Sequence, residues 1–215
     1  MCRKFLIRIL VVISICASFV MQAHENEEKV VIELSTVSVI REQKAVISFQ
    51  LFDTIEKKYL DEASLKLSHE KLLHTFVYDS ALREFQHVHP VFKNNLWTVE
   101  LSFNVSGKYW LWAQGLQSNN EEFAASERLD IDISAPAWPL PKLTDTRGGS
   151  DQNSVVTLSN QIIKAKKMVM LDVVFSRNNN TEPQIGKYLG AIAHVVAVPE
   201  DGDSLIHVHP METSD

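Results

Sequence analysis

Leu96-Trp-Thr-Val-Glu-Leu-Ser-Phe103 and, after five further residues, Tyr109-Trp-Leu-Trp-Ala113 decide how this chain folds. The first run is rich in β-branched and aromatic residues. The second alternates with period two, which sends successive side chains to opposite faces of a strand. Ser106-Gly107 between them, and Asn94-Asn95 before them, are turn signals. Val30-Val-Ile-Glu-Leu34, Ala45-Val-Ile-Ser-Phe-Gln-Leu-Phe52 and Leu129-Asp-Ile-Asp-Ile133 read the same way. Only Asp61–Leu73 carries partial helical spacing. Short strands at this spacing predict an all-β protein, with a β-sandwich over residues 24–134. Ala135-Pro-Ala-Trp-Pro-Leu-Pro141 and the polar run after it predict a Pro-rich linker over residues 135–153. A second β module is expected over residues 154–215, where Met168–Phe175 corresponds to Ala45–Phe52 and Asn178-Asn-Asn180 marks a turn.

The ends bound the compartment. Arg3, Lys4 and Arg8 flank an apolar run, Ile9–Val20, and Met21-Gln22-Ala23 is a candidate processing site. The run is short for a membrane span, so residues 1–23 are expected to be a secretory signal peptide. The expected location is periplasmic or secreted, with no membrane span in the mature chain. Processing there leaves 18 basic and 27 acidic side chains, a formal charge of −9 against −6 for the whole chain. That balance argues against nucleic acid as a partner. Both cysteines, Cys2 and Cys16, lie in the removed segment. The remainder has no disulfide and no thiolate ligand, which excludes blue-copper and zinc-ribbon sites.

One pattern occurs twice. His74 to Pro90 and His194 to Pro210 both read H-x12-H-V-H-P. Six of the eight histidines fall in these copies, and the five identical positions out of seventeen are His, His, Val, His and Pro. A fold repeat would keep apolar alternation rather than imidazoles. The pattern points to three nitrogens converging on one ion. In the first copy, Thr75–Asp79 reads as a strand, Ser80–Glu84 as its connection and Phe85–His89 as the return. His87 and His89 then share a sheet face, and a turn near residues 80–81 puts His74 opposite His87 or His89 on that face. His194, His207 and His209 repeat the geometry. Pro90 and Pro210 end their strands, which places each HxH pair at a sandwich rim. Isolated strand histidines are usually packed or surface residues, and the bland reading is that these imidazoles tie down a loop at the rim.

Weaker candidates surround the two trios. His69 is a fourth ligand or a surface residue. Met211 adjoins the second HVHP, and thioether sulfur suits Cu(I). Met168 and Met170 share a strand face and are better read as core. His24, if processing falls after Ala23, becomes a new N-terminus whose α-amine and imidazole chelate copper. Trp97, Trp110 and Trp112 read as core and surface aromatics. A cupin site fails for want of a Glu where Lys93 and Asn94 stand.

The segments Glu70-Lys-Leu-Leu-His74…Phe85-Gln-His-Val-His-Pro90 and Tyr188-Leu-Gly-Ala-Ile-Ala-His194…Ile206-His-Val-His-Pro210 resemble a group of uncharacterised secreted bacterial proteins with duplicated modules of this kind. Ser106-Gly-Lys-Tyr109-Trp-Leu-Trp-Ala113 resembles the late strand of their immunoglobulin-like or cupredoxin-like modules. The resemblance covers most of residues 45–134 and 155–210. It implies a β-sandwich followed by a second module of the same kind, in an envelope protein associated with copper or other heavy metals. This sequence departs from the pattern in that the second module is expected to be C-terminally incomplete. It supplies no activity. Three functions follow in order: an exported protein holding copper or zinc, with no organic cofactor; a sandwich that binds another envelope protein through structural histidines; and a metalloenzyme with an open coordination position. Glu84 and Glu200 lie in the two hairpin loops, but no general base stands out beside the HxH pairs.

Overall fold

The computed structural model describes residues 5–11, 29–41, 43–82, 84–132, 147–151, 153–158, 169–177, 181, 183–187, 192–199 and 204–208. The described chain is all-β apart from one 3-10 turn at Glu62–Ser64. Among the described residues, no helix is long and apolar enough to cross a membrane. The chain divides into two compact units: residues 25–143 with 200–205, and residues 1–24, 144–199 and 206–215. The first strand, β1 (Phe5–Val11), belongs to the second of these.

The first unit holds β2 (Val30–Arg41), β3 (Lys44–Asp53), β4 (Lys58–Tyr59), β5 (Leu65–Lys66) and β6 (Leu73–Asp79). It continues with β7 (Phe85–Val88), β8 (Val91–Lys93), β9 (Leu96–Ser102), β10 (Gly107–Gln117) and β11 (Glu122–Ile131). One sheet has the order β2-β3-β9-β8 and the other β11-β10-β6-β7, with β4 added to β3 and β5 to β10. This is the strand order of an immunoglobulin-like sandwich. Alternation explains the packing. On β3, Ala45, Ile47, Phe49 and Leu51 are fully buried. On β9, Trp97, Val99 and Leu101 point inward while Glu100 and Ser102 are exposed. They meet Leu73, Val77, Leu111, Ala113 and Leu129 of the facing sheet in one core.

Two polar contacts pin this core. The indole N–H of Trp97 donates to the carbonyl of Leu60 at 3.0 Å. The Tyr109 hydroxyl sits 3.0 Å from the carbonyl of Val105, four residues upstream. That is the tyrosine corner expected at the start of this strand in immunoglobulin-like folds. The same hydroxyl lies 2.5 Å from Oε2 of Glu84.

Partial helical spacing in Asp61–Leu73 does not produce an α-helix. The segment folds as the 3-10 turn, capped by Asp61, then β5 and a tight turn at Ser68–Lys71. Trp110 and Trp112 are both buried. They face away from the main core, yet β6 and β10 are buried on both faces. Trp112 donates its N–H to the Tyr78 hydroxyl at 2.9 Å, and the Arg128 guanidinium stacks 3.2 Å from the Trp110 ring centroid.

The second unit holds β1, β12 (Gly148–Asp151), β13 (Ser154–Leu158) and β14 (Val169–Arg177) in the order β1-β14-β13-β12. Strand β12 falls inside the stretch that composition assigns to the linker. Its pairing with β13, from Gly148↔Thr157 to Asp151↔Ser154, makes it part of the module. Strand β1 lies in the expected leader and runs antiparallel to β14, from Phe5↔Phe175 to Val11↔Val169. A separate ladder joins β15 (Val195–Ala197) to β16 (Ile206–Val208). Among the described residues of this unit, Val173 is the buried apolar centre, with Val156, Leu171, Phe175, Ile192 and Val195 half-buried around it. Met168 and the turn at 178–180 lie outside the described residues.

Candidate metal centre

The hairpin β6–β7 is built from the register upward. Thr75 pairs with Val88, Phe76 with His87, Val77 with Gln86 and Tyr78 with Phe85. Continuing that ladder by one step sets His74 opposite His89. Facing residues of an antiparallel pair share a sheet face, so His74, His87 and His89 share one. This is the face turned away from the main core, because Leu73, Val77 and Val88 alternate with the histidines and pack into that core. Strand β7 ends its sheet, and the chain passes through His89-Pro90 to β8 of the other sheet. The trio therefore sits at the sandwich rim, where proline closes the ladder.

The connection between β6 and β7 is held by side chains. Asp79 accepts backbone N–H groups from Glu84 at 2.9 Å and Ala81 at 3.3 Å. Glu84 is buried, and its carboxylate accepts the backbone N–H of Asn104 at 3.0 Å and the Tyr109 hydroxyl. Its oxygens are committed to the sandwich, so Glu84 anchors the loop.

The ligand atoms of His74, His87 and His89 all lie within 4.8 Å of one another, and this cluster can hold a metal ion. Nδ1 of His74 is 3.1 Å from Nε2 of His87. Ring centroids are 5.0 Å apart for His74–His89 and 4.9 Å for His87–His89. With metal–nitrogen bonds of ~2.0–2.1 Å, two ligands at a right angle sit about 2.9 Å apart and at the tetrahedral angle about 3.4 Å. The observed 3.1 Å falls between those limits.

The second nitrogen of His74 fixes its tautomer. Nε2 lies 2.9 Å from the carbonyl oxygen of Ser68, which can only accept. The Nε2–H donates there, and in the neutral ring Nδ1 keeps its lone pair toward His87. A ligand histidine commonly donates its other N–H to a backbone carbonyl in this way. Phe76 stacks on the His87 ring at 4.5 Å and 27°, which limits its rotation. His74 is 2% exposed, His87 and His89 are half-buried, and Nε2 of His89 is shut off from solvent.

His69 stays outside the trio. It is exposed on the Ser68–Lys71 turn with φ of 48°, its ring 6.1 Å from that of His74. Gln114 is a residue that the motif did not point to. It faces His74 across β6–β10, and its buried Oε1 accepts no hydrogen bond among the described residues. A lone Gln in a strand carries no sequence signal; only the register brings it to the histidines.

In the second copy, Nδ1 of His194 is 3.2 Å from Nε2 of His207. His209, Met211, Glu200 and His24 lie outside the described residues.

Fold and site together define an all-β, immunoglobulin-like sandwich with a histidine cluster able to hold a metal at its rim. The profile of a family described as a domain of unknown function, DUF8832, matches residues 149–215. No curated protein matches the chain. The family match covers the second module, starting one residue into β12, and leaves the first histidine trio outside it.

Proposed function

We propose that this is an exported metal-binding protein in which neutral imidazoles of His74, His87 and His89 hold copper(II) or zinc for buffering, delivery or sensing. The observation that carries the reading is the 3.1 Å approach of His74 Nδ1 to His87 Nε2, with His74 Nε2–H already given to Ser68. Two nitrogen lone pairs brought this close repel unless a proton or a cation lies between them. A third imidazole beside them favours the cation. Export rests on the basic-then-apolar N-terminus, and mass spectrometry of the exported chain tests it: a first residue at or near His24 supports processing. Calorimetric titration with Cu(II) and Zn(II) tests the site. The wild type should bind, and His87→Ala/His89→Ala should lose one site; equal binding by both removes the proposal.

A second reading has its own observation. Leu82, Phe85 and Val91, around the same edge hairpin, are exposed at 37%, 54% and 65%. An apolar fringe on an edge strand suits docking of another envelope protein over the trio. Crosslinking from position 85 in intact cells, with and without chelator, would reveal such a partner. On this reading His87→Ala/His89→Ala changes crosslinking without changing metal content.

A further inference from the structure

We propose that His194 and His207 form a second site for a late first-row divalent ion, and that filling it orders the hairpin β15–β16. The idea shares its histidine chemistry with the reading above but rests on different residues, so the two can fail separately.

The geometry repeats atom for atom. His194 Nδ1 meets His207 Nε2 at 3.2 Å, as His74 Nδ1 meets His87 Nε2 at 3.1 Å. Ring centroids are 5.4 Å apart in both pairs, with interplanar angles of 29° and 32°. The ladders match as well. Val195↔Val208, Val196↔His207 and Ala197↔Ile206 correspond to Thr75↔Val88, Phe76↔His87 and Val77↔Gln86. Only His, His and the Val before the second HxH histidine are identical at these positions, so shared apolar packing does not account for the match.

The support beneath the two pairs differs. Strand β6 is hydrogen-bonded on its other side to β10, deep in a sandwich. Among the described residues, the β15–β16 ladder forms a two-stranded sheet of its own, three residues on each strand. Val195 is its described contact with the small cluster around Val173. A two-stranded hairpin is at best marginally stable in water. His194 precedes one strand and His207 lies in the other, so an ion bound to both ties the strands together. Metal binding then contributes directly to folding. Both rings are half-buried, leaving a path for the ion. The chemical demand is two neutral imidazoles in cis positions, which suits Zn(II) and Cu(II).

Amide hydrogen exchange on the full-length chain, with and without Zn(II), tests this. In the wild type, zinc at a hundred times its Kd should slow exchange at Val195–Ala197 and Ile206–Val208 by up to about a hundredfold. His194→Ala/His207→Ala should show no such slowing, while exchange in β10 stays at its wild-type rate and so reports an intact first unit. His87→Ala/His89→Ala should keep the zinc effect on β15–β16 and lose the calorimetric signal of the first site. Equal exchange with and without zinc in the wild type, or full slowing in His194→Ala/His207→Ala, would overturn the proposal. His194→Gln/His207→Gln, which retains polarity and bulk, should behave as the alanine pair does; slowing in it would equally count against an imidazole site.

Discussion

The hairpins β6–β7 and β15–β16 carry the same nitrogen pair in the same register, yet they stand on different foundations. The first rests on strands β6 and β10, which are buried on both faces, with His74 at 2% exposure and Phe76 stacked on His87. In the second, Val196 replaces Phe76, Val198 replaces Tyr78, and the ladder has no third strand among the described residues. The difference separates what the ligands need from what the scaffold provides. Close approach of two imidazoles requires only a hairpin of fixed register. Preorganisation requires a sandwich behind it. The first pair is therefore expected to bind without reorganisation, and the second to spend part of its binding free energy on ordering.

Acid is the sharpest way to separate them. A ligand imidazole must be neutral, and free imidazole protonates near pH 6.5. Binding therefore weakens as pH falls, by one proton per histidine. Each further imidazole ligand adds one proton to the competition, so a three-histidine site loses affinity more steeply on acidification than a two-histidine one. Titrations of the two double-alanine variants, each retaining one site, compare the slopes. Equal slopes would recruit His209 to the second site as a third ligand.

Core deletions probe the foundations. Trp97→Ala removes a fully buried side chain and its hydrogen bond to Leu60, and should cost the first unit about 3–5 kcal/mol. Val173→Ala should cost the second unit less, since the cluster around it is half-buried. Urea melts followed by Trp fluorescence and by exchange at β14 compare the two. Equal losses would contradict the contrast.

Tyr109→Phe leaves the buried Glu84 carboxylate without its hydroxyl donor, at about 1–3 kcal/mol. Since Glu84 anchors the connection from β6 to β7, zinc affinity at the first site should fall with it, measured beside the melting temperature. The smallest effect is expected at Gln114. Its Oε1 is a buried acceptor with no donor among the described residues, so Gln114→Leu should leave the apo protein equally or more stable. A metal-bound water would donate to that oxygen, so the stabilisation gained on adding zinc should drop by about 1 kcal/mol. An unchanged gain would exclude Gln114 from the site.

Much of this was legible in the sequence, for physical reasons. Leu96–Phe103 and Ala45–Phe52 are dense in the β-branched and aromatic residues that suit a pleated, packed surface, so composition identifies them. The trio was legible because imidazoles recur where a fold repeat has no use for them. The pairing partner of His74 stayed open between His87 and His89. The turn that settles it contains no Asn-Gly or Asp-Gly; it is closed by the Asp79 carboxylate and by Leu82 at φ 54°. Burial of Trp110 and Trp112 was hidden because alternation reports two faces and not whether both are covered. Strand β12 was hidden by Gly148-Gly149, which read as linker. There an added Cβ on Gly148 would come within 2.5 Å of the Val156 carbonyl oxygen, so close strand approach explains that glycine. The motif copies count His209 and Met211 equally with the rest, but these lie outside the described residues.

X-ray absorption on zinc-loaded His194→Ala/His207→Ala protein, purified without a histidine tag, isolates the first trio. Metal–nitrogen distances of about 2.0–2.1 Å with outer-shell scattering from three imidazoles are expected, falling to one in a variant that also carries His87→Ala/His89→Ala. A spectrum of oxygen ligands without imidazole scattering, or one unchanged by the added substitutions, would contradict a metal held by His74, His87 and His89.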